Sequence, residues 1–274
     1  MGLTVWLGDR LVDPDVTGLP LDDRGFLVGD ACFETCKVVD GVPFALTRHL
    51  ARLARSCAGL GIGVVDPSSV RTAVAAVVSA GGPGVGRLRI TVTAGSAPLG
   101  PHRSSGGPRL VVQAGPATVF DPTTSVAVAP WVRNERSPVA GLKSSSYAEN
   151  AMVLAYAREH GCSDALLPNT RGDVCEGGGT NVFLGLDGRL VTPPLSSGCL
   201  AGVTRELVCS IVEVAEEPIP MAALASATEA FLTSSTRDVH PVHSLDGRGL
   251  PAPGPLTAAA QAAWAALVAR TDDP

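Results

Sequence analysis

The chain has 274 residues, a formal net charge of −5, 45% hydrophobic residues and only 4% aromatic ones. Its mild acidity excludes a nucleic-acid surface, which needs clustered Lys and Arg, and its apolar runs fall short of the ~18 residues that cross a bilayer. Of 21 basic residues, 19 are Arg and two are Lys, Lys37 and Lys143, so chemistry that needs an amine has two candidates. The seven cysteines are odd in number and form no CxxC pair, which predicts reduced thiols and a cytoplasmic location. The opening MGLTVWLGDR has no basic start or long apolar stretch of a signal peptide. Cys32, Cys36 and His49 match no zinc spacing, so no metal is expected.

Short strands are predicted at 3–7 and 10–13. Residues 33–39 and 42–46 flank Asp40-Gly41, a hairpin signal because both turn positions favour positive φ. A helix follows at 47–60, with Leu50, Leu53, Ala54, Cys57 and Leu60 on one face, Thr47 as its cap and Gly59 and Gly61 near its end. A second helix spans about 68–80, opened by Pro67 and Ser68. Strands are expected at 86–94 and 109–115, separated by the Gly/Pro/Ser-rich loop 95–108 that carries His102. Residues 116–124 read as a connector between a small N-terminal α/β domain, 1–115, and a larger C-terminal domain, 125–274. The second half predicts a strand at 125–130, a helix at 147–160, and strands at 164–167 and 180–192 around a glycine run and the Asp187-Gly188 hairpin. Helices at 203–215, 221–226 and 257–269 close the outline.

Lys143 sits in Gly141-Leu142-Lys143-Ser144-Ser145-Ser146, between a predicted strand and helix. It is either a surface lysine or a desolvated amine of lowered pKa, able to form a Schiff base. Lys37, on an alternating strand, reads as solvent-facing. Glu176 precedes Gly177-Gly178-Gly179, a run that permits either close approach to a planar ligand or a sharp turn. Gly202-Val203-Thr204-Arg205 enters a helix, where free amides form an ordinary cap or an anion seat. A second hydroxyl turn is Thr233-Ser234-Ser235-Thr236. Arg52 lies with Arg48 and Arg55 on what reads as the polar side of the 47–60 helix, either solvated or a phosphate partner. In this order they are the parts that hold pyridoxal 5'-phosphate: an amine, a carboxylate for the pyridine nitrogen, and an arginine with helix-end hydroxyls for phosphate.

The sequence resembles the fold-type IV pyridoxal-phosphate enzymes, which include branched-chain and D-amino acid aminotransferases and aminodeoxychorismate lyases. The resemblance rests on Gly29-Asp30-Ala31-Cys32-Phe33-Glu34-Thr35, His49-Leu50-Ala51-Arg52-Leu53, the segment with Lys143, Tyr147 and Asn150, Glu176-Gly177 with Asn181-Val182-Phe183, and Gly198-Cys199-Leu200 with Gly202-Val203-Thr204-Arg205. It implies an α+β, two-domain fold with the cofactor between the domains, and a homodimer. By the same resemblance Lys143 is the catalytic, cofactor-bearing lysine, Glu176 contacts the pyridine nitrogen, and Arg52, Thr204 and Ser235 hold the phosphate with the Val203 amide. Tyr147 approaches the ring hydroxyl.

Substrate choice turns on departures from the family pattern. Leu99 stands where D-amino acid aminotransferases, and many of the lyases, carry arginine. Arg87-Leu88-Arg89 replaces the Tyr-x-Arg of branched-chain enzymes, and Arg237 adds a charge where those have a small residue. Extra arginines suit a small-molecule substrate with two carboxylates. The reading is therefore an aminodeoxychorismate lyase, with a class IV aminotransferase as the alternative. Arg89 and Arg237, then Arg87, Arg136 and His102, are the candidates for substrate binding.

Overall fold

The computed structural model describes residues 2–100, 102–103 and 106–274; Met1, and Pro101, Ser104 and Ser105 of the predicted 95–108 loop, lie outside the described residues. The chain divides into two compact units. The first runs to Thr118 and adds Leu142–Tyr147 and Asp273; the second holds Val119–Gly141, Ala148–Asp272 and Pro274.

The first unit is an antiparallel sheet of β1 (Thr4–Leu7), β2 (Arg10–Val12), β3 (Ala31–Val39), β4 (Val42–Pro43), β5 (Arg87–Thr93) and β6 (Arg109–Gly115), in the order β2-β1-β6-β5-β3-β4, with helices α1 (Arg24–Val28), α2 (Leu46–Leu60) and α3 (Pro67–Gly81). Side chains alternate across the sheet. Cys32, Cys36, Val38, Leu88, Ile90, Val92 and Val112 enter one core with Leu50, Leu53 and Cys57 of α2 and Val70, Val74 and Val77 of α3. The other face carries Phe33, Thr35 and Lys37 of β3, paired with Thr91, Arg89 and Arg87 of β5. That second face holds the chemistry described below.

The second unit is a mixed sheet of nine strands: β7 (Thr124–Val128), β8 (Asp164–Pro168), β9 (Val174–Gly177), β10 (Asn181–Leu186), β11 (Arg189–Thr192), β12 (Ala215–Glu216), β13 (Glu229–Ser234), β14 (Asp238–Leu245) and β15 (Arg248–Gly249). Their order is β12-β11-β10-β13-β14-β7-β8-β9, with β15 on β14. Helices α4 (Ala148–Glu159), α5 (Val203–Ile211) and α6 (Pro255–Arg270) cover it. Ala165 and Leu167 of β8 pack with Val153 and Ala157 of α4, while Leu166 joins Leu184 and Leu232 in a separate core. This is the mixed α+β architecture that the residue pattern predicts.

Several local expectations are corrected. Thr47 does not cap α2: the N-cap is Ala45, at φ 54°, and the Thr47 amide and hydroxyl go to Asp273 instead. The strand expected at 42–46 stops at Pro43, because α2 already begins at Leu46. The helix expected at 203–215 ends at Ile211, where Val212 turns extended and β12 pairs with the open edge of β11. Residues 221–226 form a 3-10 helix. Both Asp-Gly hairpins form with positive φ at each residue, 49° and 80° at Asp40-Gly41 and 50° and 71° at Asp187-Gly188. A third, Asp246-Gly247, turns β14 into β15 in the same way.

Candidate active site

Lys143 belongs to the first unit. Residues 143–145 extend the β3 edge beyond the two residues that β4 covers. Phe33 N donates to Lys143 O at 3.0 Å and Ser145 N to Ala31 O at 2.7 Å, with Cys32 facing Ser144. This register brings Lys143 to Phe33, whose ring lies 4.5 Å from Nζ. The Arg89 guanidinium lies 3.9 Å from the same ring, and Tyr147 meets it edge-on, 5.4 Å away at 82°. One buried phenylalanine thus gathers a lysine, an arginine and a tyrosine. Burial lowers the basicity of Arg89, and no acidic side chain pairs with it among the described residues.

Arg52 is not on a solvated face. It is 4% exposed, and its Nε and Nη2 donate to Glu34 at 2.8 and 2.6 Å. His49 Nδ1 lies 2.7 Å from the same carboxylate. Glu34 is fully buried on the core face of β3, in phase with Cys32 and Cys36. Burial alone would raise its pKa, but Arg52 and His49 outweigh it and hold the value at about 2. Burial keeps His49 below its usual range. The network fixes Arg52 to β3.

In the second unit, Glu176 stands on β9 opposite Leu167. Its Oε2 accepts from Leu200 N at 2.9 Å, and Oε1 lies 3.4 Å from Arg133 Nε. The glycine run after it forms a sharp turn, with Gly177 N donating to Thr180 O at 2.8 Å. Buried Asp164 pins this turn, accepting from Gly178 N at 2.7 Å and Thr180 Oγ1 at 2.8 Å. Glycine is required at Gly178 for space, since a Cβ there would meet Val153 at 2.9 Å. Asn181 Nδ2 holds Leu200 O at 2.9 Å. Beyond it α5 begins at Val203 with Gly202 as its N-cap, whose lack of a side chain leaves no side-chain cap for the first-turn amides. Val203 and Thr204 open that turn and are buried. Ser235 is half-buried in the turn after β13.

Of the remaining candidates, Arg87 and His102 lie in the first unit and Arg136 and Arg237 in the second. Arg237 is half-buried over the Phe120 ring at 4.4 Å, and its Nη1 donates to Ser163 Oγ at 2.9 Å. Arg87 is exposed and donates to Thr118 at 3.0 Å. Arg136 is exposed. His102 is exposed, with its carbonyl accepting from Arg24. Lys37 is half-buried, with Nζ 5.4 Å from the Phe44 ring. Residue spacing did not reveal the roles of Glu34, His49, Asp164 and Arg133. Glu34 alone left a signal: a carboxylate in phase with buried residues demands a buried cation.

Residues 31–245 match the model of the amino-transferase class IV family, and the chain belongs to that family. A D-alanine aminotransferase of Bacillus licheniformis is 29% identical over 272 residues, covering 95% of each chain. A branched-chain aminotransferase of Thermoproteus uzoniensis, solved with norvaline, superposes with a TM-score of 0.87 at 29% identity, over 97% of this chain and 94% of that one. A Legionella pneumophila protein provisionally named 4-amino-4-deoxychorismate lyase superposes at 0.85 and 26% identity, over 91% and 95%.

The family is dependent on pyridoxal phosphate, and this chain is therefore an enzyme of that cofactor class. The residues present fit the group. Three buried hydroxyls among the described residues have no hydrogen-bond partner, Ser145 Oγ, Thr233 Oγ1 and Thr257 Oγ1, although buried polar groups normally have one; the first two flank the candidate lysine and the candidate phosphate turn in sequence. The donor set also supplies an amine, a carboxylate and a helix N-terminus suited to phosphate. No helix among the described residues is long and apolar enough to cross a membrane.

Proposed function

We propose that this enzyme is a 4-amino-4-deoxychorismate lyase, releasing pyruvate and 4-aminobenzoate. The observation that carries the reading is Arg89: a desolvated guanidinium without an acidic partner among the described residues, set against the Phe33 ring that also meets Lys143 and Tyr147. A cation flanked by aromatic surface suits a carboxylate carried on a planar ring.

Lys143 is the cofactor-bearing residue, and its Nζ takes the proton from the amine-bearing carbon of the substrate. Pyridoxal phosphate, when bound, supplies the electron sink for that carbon. Arg52, Thr204, Ser235 and the Val203 amide hold the phosphate, Glu176 holds a proton at the pyridine nitrogen, and Tyr147 faces the ring hydroxyl. Arg89 orients one substrate carboxylate. Arg237, Arg87, Arg136 and His102 are the candidates for the second. Loss of pyruvate leaves an aromatic ring, which makes the step strongly downhill and removes the need for a keto-acid acceptor.

The protein works as a cytoplasmic homodimer in this reading. Its seven cysteines are free, as a reducing compartment requires, and Phe26, Leu27 and Val28 of α1 form an exposed apolar run fit for a second copy. The test is incubation of cofactor-loaded enzyme with aminodeoxychorismate, reading 4-aminobenzoate by fluorescence and pyruvate by a coupled assay. No turnover with cofactor bound rejects the lyase.

The names of the relatives favour a second reading, a transaminase acting on branched-chain L-amino acids or on D-amino acids. Mixing the enzyme with an amino acid alone then bleaches the visible band of the bound cofactor. An unchanged spectrum across a broad panel rejects it.

A further inference from the structure

We infer that Ser56 is a positioning residue for Lys143, setting the height of the lysine through its backbone amide. The inference rests on the assignment of Lys143 above. In a regular antiparallel ladder the facing residues Phe33 and Lys143 would exchange two hydrogen bonds. Phe33 N does donate to Lys143 O, but the Lys143 N–H reaches Ser56 Oγ of α2, 3.1 Å away. The lysine main chain is therefore held from two elements, its carbonyl by β3 and its amide by α2.

Three features show that this contact is built in. Ser56 is 2% exposed in the interior of a 15-residue helix, where alanine would serve helix formation better and a serine hydroxyl needs a use. It lies one turn after Arg52, so both project from the same side of α2. On the next turn, Gly59 leaves space for the residue before the lysine: a Cβ there would stand 2.7 and 2.8 Å from the Leu142 methyls. Ser56 and Gly59 thus form a stripe, beginning one turn beyond Arg52, that receives the lysine segment. Downstream, Ser146 Oγ donates to Gly29 O at 3.1 Å, which fixes the other end. Within this clamp Ser56 is the polar side chain that contacts Lys143 itself through its amide. Its removal frees the Cα from which Nζ is projected, and misplacement of a reacting atom by about 1 Å can cost up to 10²-fold in rate.

The experiment compares Ser56→Ala, Ser56→Cys and Lys143→Ala with the full-length wild-type chain. Ser56→Cys keeps the buried volume and replaces the hydroxyl by a weak acceptor. Without cofactor, hydrogen exchange at the Lys143 amide should quicken about tenfold in both Ser56 variants, while the Phe33 and Ser145 amides stay protected. With pyridoxal phosphate bound, the pH midpoint of the visible band should move by at least ~0.5 unit, and kcat should fall about tenfold with KM within about twofold. Wild-type exchange at Lys143, or a wild-type pH midpoint, in either variant overturns the inference. Should Ser56→Ala not fold, Ser56→Cys decides alone. If neither folds, Ser56 is a folding residue and the inference is wrong. Retention of the visible band in Lys143→Ala instead refutes the lysine assignment, whatever the Ser56 variants do.

Discussion

Glu34→Gln removes one charge and almost no volume, and it tests whether the buried network under β3 is an ion pair that the fold depends on. Arg52 and Glu34 have side chains 5% and 0% exposed, so solvent screens them little. Removing one partner from such a pair costs about 3–5 kcal/mol, because the other charge stays buried. Glutamine keeps part of the hydrogen bonding, which places the loss near ~3 kcal/mol. At roughly 2–4 °C per kcal/mol for a chain of this size, the melting temperature should fall by about 6–12 °C in a calorimetric scan at pH 7. The pH dependence gives an independent check. The folded Glu34 pKa of about 2 lies below the ~4.3 of a free glutamate, so its contribution is complete above that value and disappears as pH falls through about 2. His49 is shifted down in the same sense, which adds to wild-type stability above ~6.5. The gap between wild type and Glu34→Gln should therefore shrink steadily below pH 4.5. The double variant Glu34→Leu/Arg52→Met should recover most of the loss, since a well-packed apolar pair can replace a buried ion pair. A Glu34→Gln protein melting within about 2 °C of wild type, or a gap that is the same at pH 7 and pH 3, would refute the reasoning.

Arg89→Gln should lower kcat/KM for the carboxylate substrate by about 10–100-fold, the worth of a hydrogen bond to a charged group, and leave the melting temperature unchanged; a substantial drop in melting temperature would mean that the arginine is structural. Gly202→Ala should destabilise by about 1–3 kcal/mol, because its Cβ would collide with Asn181 Oδ1 and break the Asn181 tie to Leu200; thermal melts and cofactor retention read both effects. Brief alkylation of the folded protein at pH 7 should label Cys162 ahead of Cys209, whose thiol burial pushes up to about 11. It should spare buried Cys36, Cys175 and Cys199, whose thiols are also pushed up by burial; peptide mapping would show the order.

The parts of this protein that were legible from sequence are those that local rules determine. Asp40-Gly41 and Asp187-Gly188 became turns because the dipeptide favours left-handed backbone at both positions. The apolar spacing of Leu50, Leu53 and Cys57 located α2 and its buried face. Arg52 misled because an arginine at helical spacing beside Arg48 and Arg55 reads as solvated. Its counter-charge, Glu34, is 18 residues away on a strand, and no local rule links the two. Thr47 misled in the opposite way, since a good capping residue was taken up by a distant carboxylate, Asp273. At Glu176 the glycine run was visible, but the carboxylate that pins the turn, Asp164, comes from another strand. Elements set by neighbouring residues are legible in the sequence, whereas pairings between residues far apart in the chain are not.

That contrast bears on how the lysine segment works. A flexible lysine on a serine-rich loop would spend binding energy on its own ordering. Here residues 143–145 are held against β3 by an isolated bridge and two backbone hydrogen bonds, and the residue they meet, Phe33, also meets Arg89 and Tyr147. Ordering the Lys143 amine and ordering the Arg89 guanidinium, the proposed carboxylate receptor, are then one event, completed on folding. The β3–β5 register is what joins them: Thr35 opposite Arg89 places the guanidinium two residue pairs along from Phe33, on the same face. A slip of one residue would turn Phe33 and Arg89 toward the α2–α3 core. Glu34, locked to Arg52 and His49 on the opposite face of the same strand, opposes that slip, because it would expel a buried ion pair. The network under β3 therefore protects the register on which the lysine cluster depends, and Glu34→Gln should loosen both faces together.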